Sequence, residues 1–348
     1  MNEFTPNPEK PKNLLAACPA YTPSPLIKDN AITNIEILIK NETQRMGLGS
    51  FKALGGVYAV AVLLAEKWHT TTGNTLQPEE FTSDKFKQFA ASATFICASA
   101  GNHGLAVASG AKLFGAKARI HLSAEVPKAF EQRLLTKAAT VIWSGKVYED
   151  SVAAATQDAE QGNGFLLADG SWEGYTYPPS LVMEGYTVIA EELRSTFTQS
   201  KQWPTHVFFQ AGVGGLAAAM TYMIRHNWEQ QPEIIIVEPD QAPCLQESHK
   251  KGEITTVSGD ISVMGRLDCK APSLLAFHAL EKAQVHYSTI SDQDAVEATH
   301  ILQQNGINTT PSGAAGLAGL LKYQQREIKG ISSHKSFLPL IIVTEEKI

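Results

Sequence analysis

One lysine stands among small residues in Gly49-Ser50-Phe51-Lys52-Ala53-Leu54-Gly55-Gly56, at the head of an apolar stretch that reads as a helix to about Glu66. An ammonium opening a buried helix is costly unless it is neutral, paired or covalently used. Alone, such a lysine is more often an exposed first-turn residue, so its meaning depends on the rest of the chain. Ser99-Ala100-Gly101-Asn102-His103-Gly104 falls between an expected strand, 94–98, and an expected helix, 105–114. Such a turn offers free backbone N–H groups and a helix N-terminus, which bind an anion such as a carboxylate. Asn102 adds an amide for a cofactor hydroxyl, and His103 reads equally as a packing or a catalytic residue.

Three further stretches carry candidate chemistry. Gly212-Val213-Gly214-Gly215 follows a strand and precedes an alanine-rich helix, a setting in which backbone closes around a phosphate. Asp169 and Glu173, in Asp169-Gly170-Ser171-Trp172-Glu173-Gly174-Tyr175, are general acid or base candidates screened by Trp172 and Tyr175; the plain alternative for Asp169 is a helix cap. Ser312, before Gly313-Ala314-Ala315-Gly316, either caps a helix or meets a ring nitrogen of a cofactor. A neutral partner there weakens the electron sink and favours elimination over transamination.

A rival reading comes from the glycine loop. Gly212, Gly214 and Ala217 also fit the dinucleotide fingerprint, with Glu238 near where a ribose-binding acid belongs, so an NAD(P)-dependent oxidoreductase is the alternative of a different class. The order of motifs separates the two. A dehydrogenase has no use for the lysine loop followed by the Ser-Ala-Gly-Asn-His turn, whereas a pyridoxal 5'-phosphate enzyme needs both, with Lys52 as its Schiff-base lysine. A cofactor-carrying regulator is a third, non-catalytic possibility.

The elements that must position these residues alternate. Strands near 94–98, 118–122, 140–143, 164–168, 206–210 and 233–237 interleave with helices, which implies parallel sheet covered by helices. Residues 8–25 read as an extended arm, 34–40 as a strand, 69–87 as a surface connection with room for a short helix, and 241–271 as irregular. Helices are expected near 292–304 and 313–323, then a strand at 337–343. A chain of 348 residues, 43% hydrophobic and 18% charged, suits one large or two smaller α/β domains. A net charge of −6 without a basic cluster argues against nucleic acid as a partner. No apolar run approaches a membrane span, and the polar, proline-rich start is neither signal nor anchor, so a cytoplasmic location is expected. Cys18, Cys97, Cys244 and Cys269 lack metal-type spacing, and no metal is expected.

With these motifs in this order, the chain resembles the tryptophan-synthase-β-like, fold type II, pyridoxal phosphate enzymes, and among them the diaminopropionate ammonia-lyases. The likeness also rests on Tyr21-Thr22-Pro23-Ser24-Pro25-Leu26, Lys40-Asn41-Glu42-Thr43-Gln44-Arg45, Trp172-Glu173-Gly174-Tyr175, Met183-Glu184-Gly185-Tyr186, Val237-Glu238-Pro239-Asp240 and Gly265-Arg266-Leu267-Asp268-Cys269. It implies Lys52 as Schiff-base lysine, Asn102 at the ring hydroxyl, residues 212–215 as phosphate cradle, Ser312 at the pyridine nitrogen and Asp169 as acid–base group towards L-substrates. The turn of Ser99, Ala100, Gly101, Asn102 and His103 would hold the substrate carboxylate. Where the family has an aspartate assigned to D-substrates, this chain has Ala100, more like the threonine and serine dehydratases, which are the alternative within the family. Asn41 also replaces the family's aspartate. Cys244 and Cys269 fall at family cysteine positions, paired or free. The implied architecture is two parallel-sheet domains of three αβα layers with the cofactor between them. Residues 1–88 and 167–348 would form the large domain and 89–166 a small mobile one. A homodimer acting on a small amino acid is the implied assembly.

Overall fold

The computed structural model of the protein describes residues 3–347, except 34, 100, 125, 127 and 331–336, and without the side chains of 326–330. Ala100, one of the expected turn residues, therefore lies outside the described residues. In chain order the fold opens with α1 (Glu9–Ala16), β1 (Leu26–Asp29), β2 (Ile37–Asn41), α2 (Lys52–Thr72) and α3 (Asp84–Ala90). There follow β3 (Thr94–Ala98), α4 (Asn102–Phe114), β4 (Lys117–Leu122), α5 (Lys128–Thr136), β5 (Thr140–Trp143), α6 (Tyr148–Glu160) and β6 (Phe165–Leu166). The remainder comprises α7 (Tyr177–Ser200), β7 (His206–Gln210), α8 (Gly215–Asn227), β8 (Glu233–Pro239), α9 (Cys244–Lys251) and α10 (Leu274–Glu281). It closes with β9 (His286–Ile290), α11 (Asp292–Gln304), α12 (Pro311–Gly330) and β10 (Pro339–Val343).

The α/β class inferred from the alternation is what forms. One sheet runs β1-β2-β10-β7-β8-β9, parallel except for β1. The other runs β5-β4-β3-β6, parallel throughout, and takes all its strands from the chain between Thr94 and Leu166. Strands buried on both faces, such as Ile234-Ile235-Ile236-Val237 in β8, read as continuous apolar runs because helices cover both sides. In the larger sheet the winding reverses between β10 and β7. The crevice beyond the carboxyl ends of strands at such a switch point is where open α/β sheets bind ligands. Gln210, ending β7, spans it and donates to Ile342 O at 3.0 Å and Gly313 O at 3.1 Å.

Several local expectations need correction. The arm at 8–25 contains α1, with Pro11 inside its first turn, where a missing N–H costs no hydrogen bond, and Leu15 in the core. The connection at 69–87 is not a plain surface segment. There α2 continues to Thr72, Gly73 ends it at φ +73°, and Phe81 and Phe86 are buried against Trp68 and Phe114. The irregular stretch at 241–271 holds α9, whose polar sequence shows little periodicity. Its first N–H groups are satisfied by Glu238, a partner from a neighbouring strand.

How α2 is seated decides where Lys52 lies. The helix is wedged between α4 and α7, and glycines make the wedge fit. A Cβ at Gly56 would stand 2.6 Å from Ala106 Cβ, and one at Gly185 of α7 would stand 2.7 Å from Gly55 Cα and Leu54 O. The approach to α2 is pinned from the other side by a buried ionic cluster. Arg45, side chain fully buried, binds Glu42 at 2.7 Å and Glu192 at 2.8 Å, and Lys40 reaches Glu192 at 2.5 Å. Removing one member would strand the others without solvent. Accordingly, Arg45→Met should lower stability by about 3–5 kcal/mol in urea unfolding, and Gly185→Ala by about 1–3 kcal/mol as the two helices are forced apart. A loss under about 0.5 kcal/mol for either would show that the cluster or the wedge is not what seats α2.

Candidate active site

Four strand ends and two helix starts deliver the expected residues to one cleft between the sheets. Lys52 begins α2 and Asp169 follows β6. Lys52 Nζ donates to Asp169 Oδ2 in a short ion pair. Their side chains keep 22% and 18% of their surface, so the pair lines a cavity and is not sealed in solid core. Burial alone would push the Lys52 pKa down. Asp169, with Tyr186 behind it, outweighs burial and holds the ammonium's pKa above the ordinary lysine value. Likewise burial would raise Asp169, but Lys52 and then His103 draw its carboxyl far below the usual range. The rings of Phe51 and Tyr186 flank the ammonium at 5.4 and 5.9 Å.

The Ser99–Gly104 turn joins β3 to α4. Ser99 Oγ accepts from Gly101 N at 3.1 Å and Gly104 N at 2.8 Å, which shapes the turn, and α4 then begins at Asn102 with its first N–H groups facing out of the helix end. His103 is buried. Its Nε2 lies 2.8 Å from Leu167 O, which can only accept, so Nε2 carries the hydrogen and Nδ1 is left as an acceptor without a partner among the described residues. Burial holds this imidazole's pKa below its usual value against the opposing pull of Asp169.

Asn102 is anchored by a residue that the sequence reading missed. Its Nδ2 donates at 2.5 Å to Glu345 Oε2, and Glu345, buried just beyond β10, also accepts from Thr310 Oγ1 at 2.5 Å. Burial raises this carboxyl's pKa, and Arg266 opposes it. The second Nδ2 hydrogen of Asn102 stays available to a ligand. The signal was there: a carboxylate within three residues of a strand's carboxyl end, as for Asp169. Tyr148, opening α6, was also not singled out; its residue keeps 38% of its surface, while desolvation of the hydroxyl, then Asp169, raises its pKa well above the usual value. Nothing in the local sequence marks it.

Gly212 to Gly215 link β7 to α8. Gly214 takes φ +96°, a conformation that favours glycine, and a Cβ at Gly212 would lie 2.9 Å from Cys269 Sγ. Backbone N–H groups and the α8 N-terminus therefore form a cradle sized for an anion, with Val213 O tied back to Ser273 N at 2.9 Å. Both nearby cysteines are free thiols. Cys244 Sγ donates to Gly212 O at 3.6 Å, and burial pushes Cys269 up to about 12. Ser312, buried at the start of α12, accepts from Arg266 N at 3.1 Å. That bond uses one of the oxygen's two lone pairs, and among the described residues the hydroxyl proton has no acceptor, so it can donate into the cleft.

The same geometry removes the dinucleotide reading. Both Glu238 oxygens accept backbone N–H groups at 2.8 Å, from Leu245 and Gln246, and the residue is fully buried as the cap of α9, so no ribose can reach it. A separate cavity of about 690 Å³, lined in part by Phe4, Tyr222, Arg225 and Lys282, lies away from Lys52. Its cations are already engaged, Arg225 on the carbonyls of Ala283, Pro232 and Gln284 and Lys282 on Glu3. Among the described residues no His, Cys, Asp or Glu group could hold a metal, and no helix is long and apolar enough to cross a membrane.

The ion pair makes a prediction for the cofactor-free protein. With Asp169→Asn, burial acts on Lys52 against only Tyr186 and Cys269, so the amine's pKa should fall by at least about one unit. The pH dependence of acetic-anhydride labelling of Lys52, read by mass spectrometry, reports it. An unmoved midpoint would mean that Asp169 does not set the lysine's charge.

Comparison with known proteins agrees with this geometry. Residues 17–333 match the family described as pyridoxal-phosphate dependent enzymes. The chain is 32% identical to diaminopropionate ammonia-lyase of Escherichia coli (strain K12) over 342 residues, covering 93% of this chain and 84% of that one. It is 25% identical to D-serine dehydratase of Salmonella typhimurium over 319 residues, 84% of this chain and 70% of the relative. A crystal structure of the Escherichia coli ammonia-lyase, in complex with an aminoacrylate–PLP azomethine reaction intermediate, superposes with a TM-score of 0.86 at 29% identity, covering 99% of this chain and 91% of the other.

Proposed function

The chain belongs to the pyridoxal-phosphate-dependent enzymes of fold type II, and from that premise we propose that it is an ammonia-lyase releasing pyruvate and ammonia from 2,3-diaminopropionate, favouring the L-isomer. The observation that carries the reading is the Lys52–Asp169 pair: a base and an acid in contact, inside a cleft whose other walls fit the cofactor. The glycine cradle suits the phosphate, Asn102 the ring hydroxyl and the free Ser312 proton the pyridine nitrogen. When bound, the cofactor offers an aldehyde to Lys52 and a ring that spreads negative charge from the substrate's Cα.

The protein's own residues do the rest. The N–H groups of the turn at 99–104 and the α4 N-terminus orient the substrate carboxylate. Lys52, once neutral, takes the Cα proton. The β-amine departs only when protonated, and Asp169, a carboxylate in contact with Lys52, is placed to relay to it the proton that the lysine has taken from Cα. Loss of ammonia leaves 2-aminoacrylate, which with one water becomes pyruvate and a second ammonia. A hydroxyl leaving group needs no such help from Asp169 if the cofactor phosphate protonates it, which is how a serine or threonine dehydratase would differ.

Ala100, in the place of the family's aspartate, supports the preference for the L-isomer and keeps the dehydratase reading in view. A small domain of 89–166 closing on 1–88 and 167–348 belongs to the same proposal, because elimination profits from excluding water. So does a cytoplasmic homodimer whose only substrate partner is a small amino acid, with no nucleic-acid or membrane partner. Keto-acid release should be highest with L-2,3-diaminopropionate, low with the D-isomer, and cut about 10²–10⁴-fold by Asp169→Asn. Turnover of L-serine or L-threonine alone would make the protein a dehydratase, and equal small losses on every substrate would remove Asp169 from its role.

A further inference from the structure

We propose that Arg266 is a substrate-binding residue whose guanidinium takes the amino acid's α-carboxylate together with the N–H groups of the Ser99–Gly104 turn. The inference rests on the reading that this turn holds the substrate carboxylate. Arg266 comes from the segment between α9 and α10, where its backbone N–H is fixed on Ser312 Oγ. From that anchor the side chain reaches the turn on the other sheet. A Cβ added to Gly101 would lie 2.6 Å from Arg266 Nε and 2.8 Å from Cζ, so the guanidinium rests against the glycine's Cα, a place only glycine leaves open. Its Cζ stands 5.5 Å from the Phe130 ring centroid. Glycine and ring flank the guanidinium and leave its N–H edges to other partners.

Those edges lack an acceptor. Arg266 Nε is buried and meets no hydrogen-bond partner among the described residues. Glu345 feels the guanidinium's charge, but its two oxygens already serve Asn102 and Thr310. A buried charged donor without an acceptor is destabilising, and a planar fork is the donor best matched to a carboxylate. The position selects which carboxylate. Arg266 lies against the same turn and α4 N-terminus that already favour an anion, so the substrate's invariant acid group completes the set.

The test uses the reconstituted holoenzyme and two ligands without a β leaving group, L-alanine and L-alaninamide, titrated by the cofactor's absorbance. Binding is then independent of which β-substituent the enzyme expels. Arg266→Met should weaken L-alanine about 10–100-fold and L-alaninamide less than about 3-fold, with Arg266→Lys recovering part of the loss. Unaltered amide binding also certifies a folded site. Equal weakening of both ligands would make Arg266 a packing residue. An unchanged affinity for L-alanine would end the proposal. If the acid–amide split appears while no 2,3-diaminopropionate is turned over, the substrate assignment fails and Arg266 keeps its role.

Discussion

Two opposite charges withdrawn from water, Lys52 and Asp169, form the constraint on which the structure turns. They lie 117 residues apart, yet each is tenable at its depth only because the other is there. Either one alone would neutralise itself by a shifted pKa, since desolvation disfavours the charged form of both. The pair therefore ties the start of α2 to the chain leaving β6, and so ties one sheet to the other across the cleft. Its partial exposure to the cavity keeps both groups within reach of a ligand, which a fully sealed salt bridge would not allow.

Holding that pair in register takes packing at backbone distance. Gly55, Gly56 and Gly185 let α2 sit closer to α4 and α7 than any side chain would permit, and Arg45, Glu42, Glu192 and Lys40 fix the segment leading into it. Charges buried this way are poor sources of stability, because desolvation offsets most of their attraction. What they supply is position: Arg45 has donors matched to two carboxylates and two chain segments, and few other placements satisfy them all. The remaining groups of the cleft arrive on the carboxyl ends of parallel strands. Ser99 follows β3, Asp169 β6, Gly212 β7 and Glu345 β10, so a single architectural rule collects residues from four places in the chain.

The cleft's electrostatics are mixed rather than uniformly of one sign. An ammonium faces a carboxylate, a neutral imidazole presents a bare acceptor, a buried carboxyl steadies Asn102, and, on the proposed assignment, a hydroxyl stands where a carboxylate would draw a proton onto a ring nitrogen. A neutral group at that last position limits how strongly the ring can hold negative charge, which suits expulsion of a β-substituent over longer-lived carbanion chemistry. The proposed phosphate cradle carries no cation in its glycine loop and would rely on backbone N–H groups and the α8 dipole.

Much of this was legible in the residues themselves. Lys52 among small residues, the Ser-x-Gly-Asn-His turn, the glycine loop and Ser312 each state a local chemistry, and their order separates a pyridoxal phosphate site from a dinucleotide site; the alternation of apolar runs and helices states the α/β class. These are local properties, set by side-chain type, backbone freedom and period. Which residues touch is not local. That Glu238 caps α9 instead of meeting a ribose, that Glu345 backs Asn102 and that Arg266 lies on Gly101 all depend on contacts between segments far apart in the chain. The helices α1 and α9 escaped for a related reason: a proline tolerated in a first turn and a cap donated by another strand are invisible to periodicity. Residue types determined what chemistry was on offer; only the packing of α2 between two helices, and of two sheets about one cleft, decided which groups would share it.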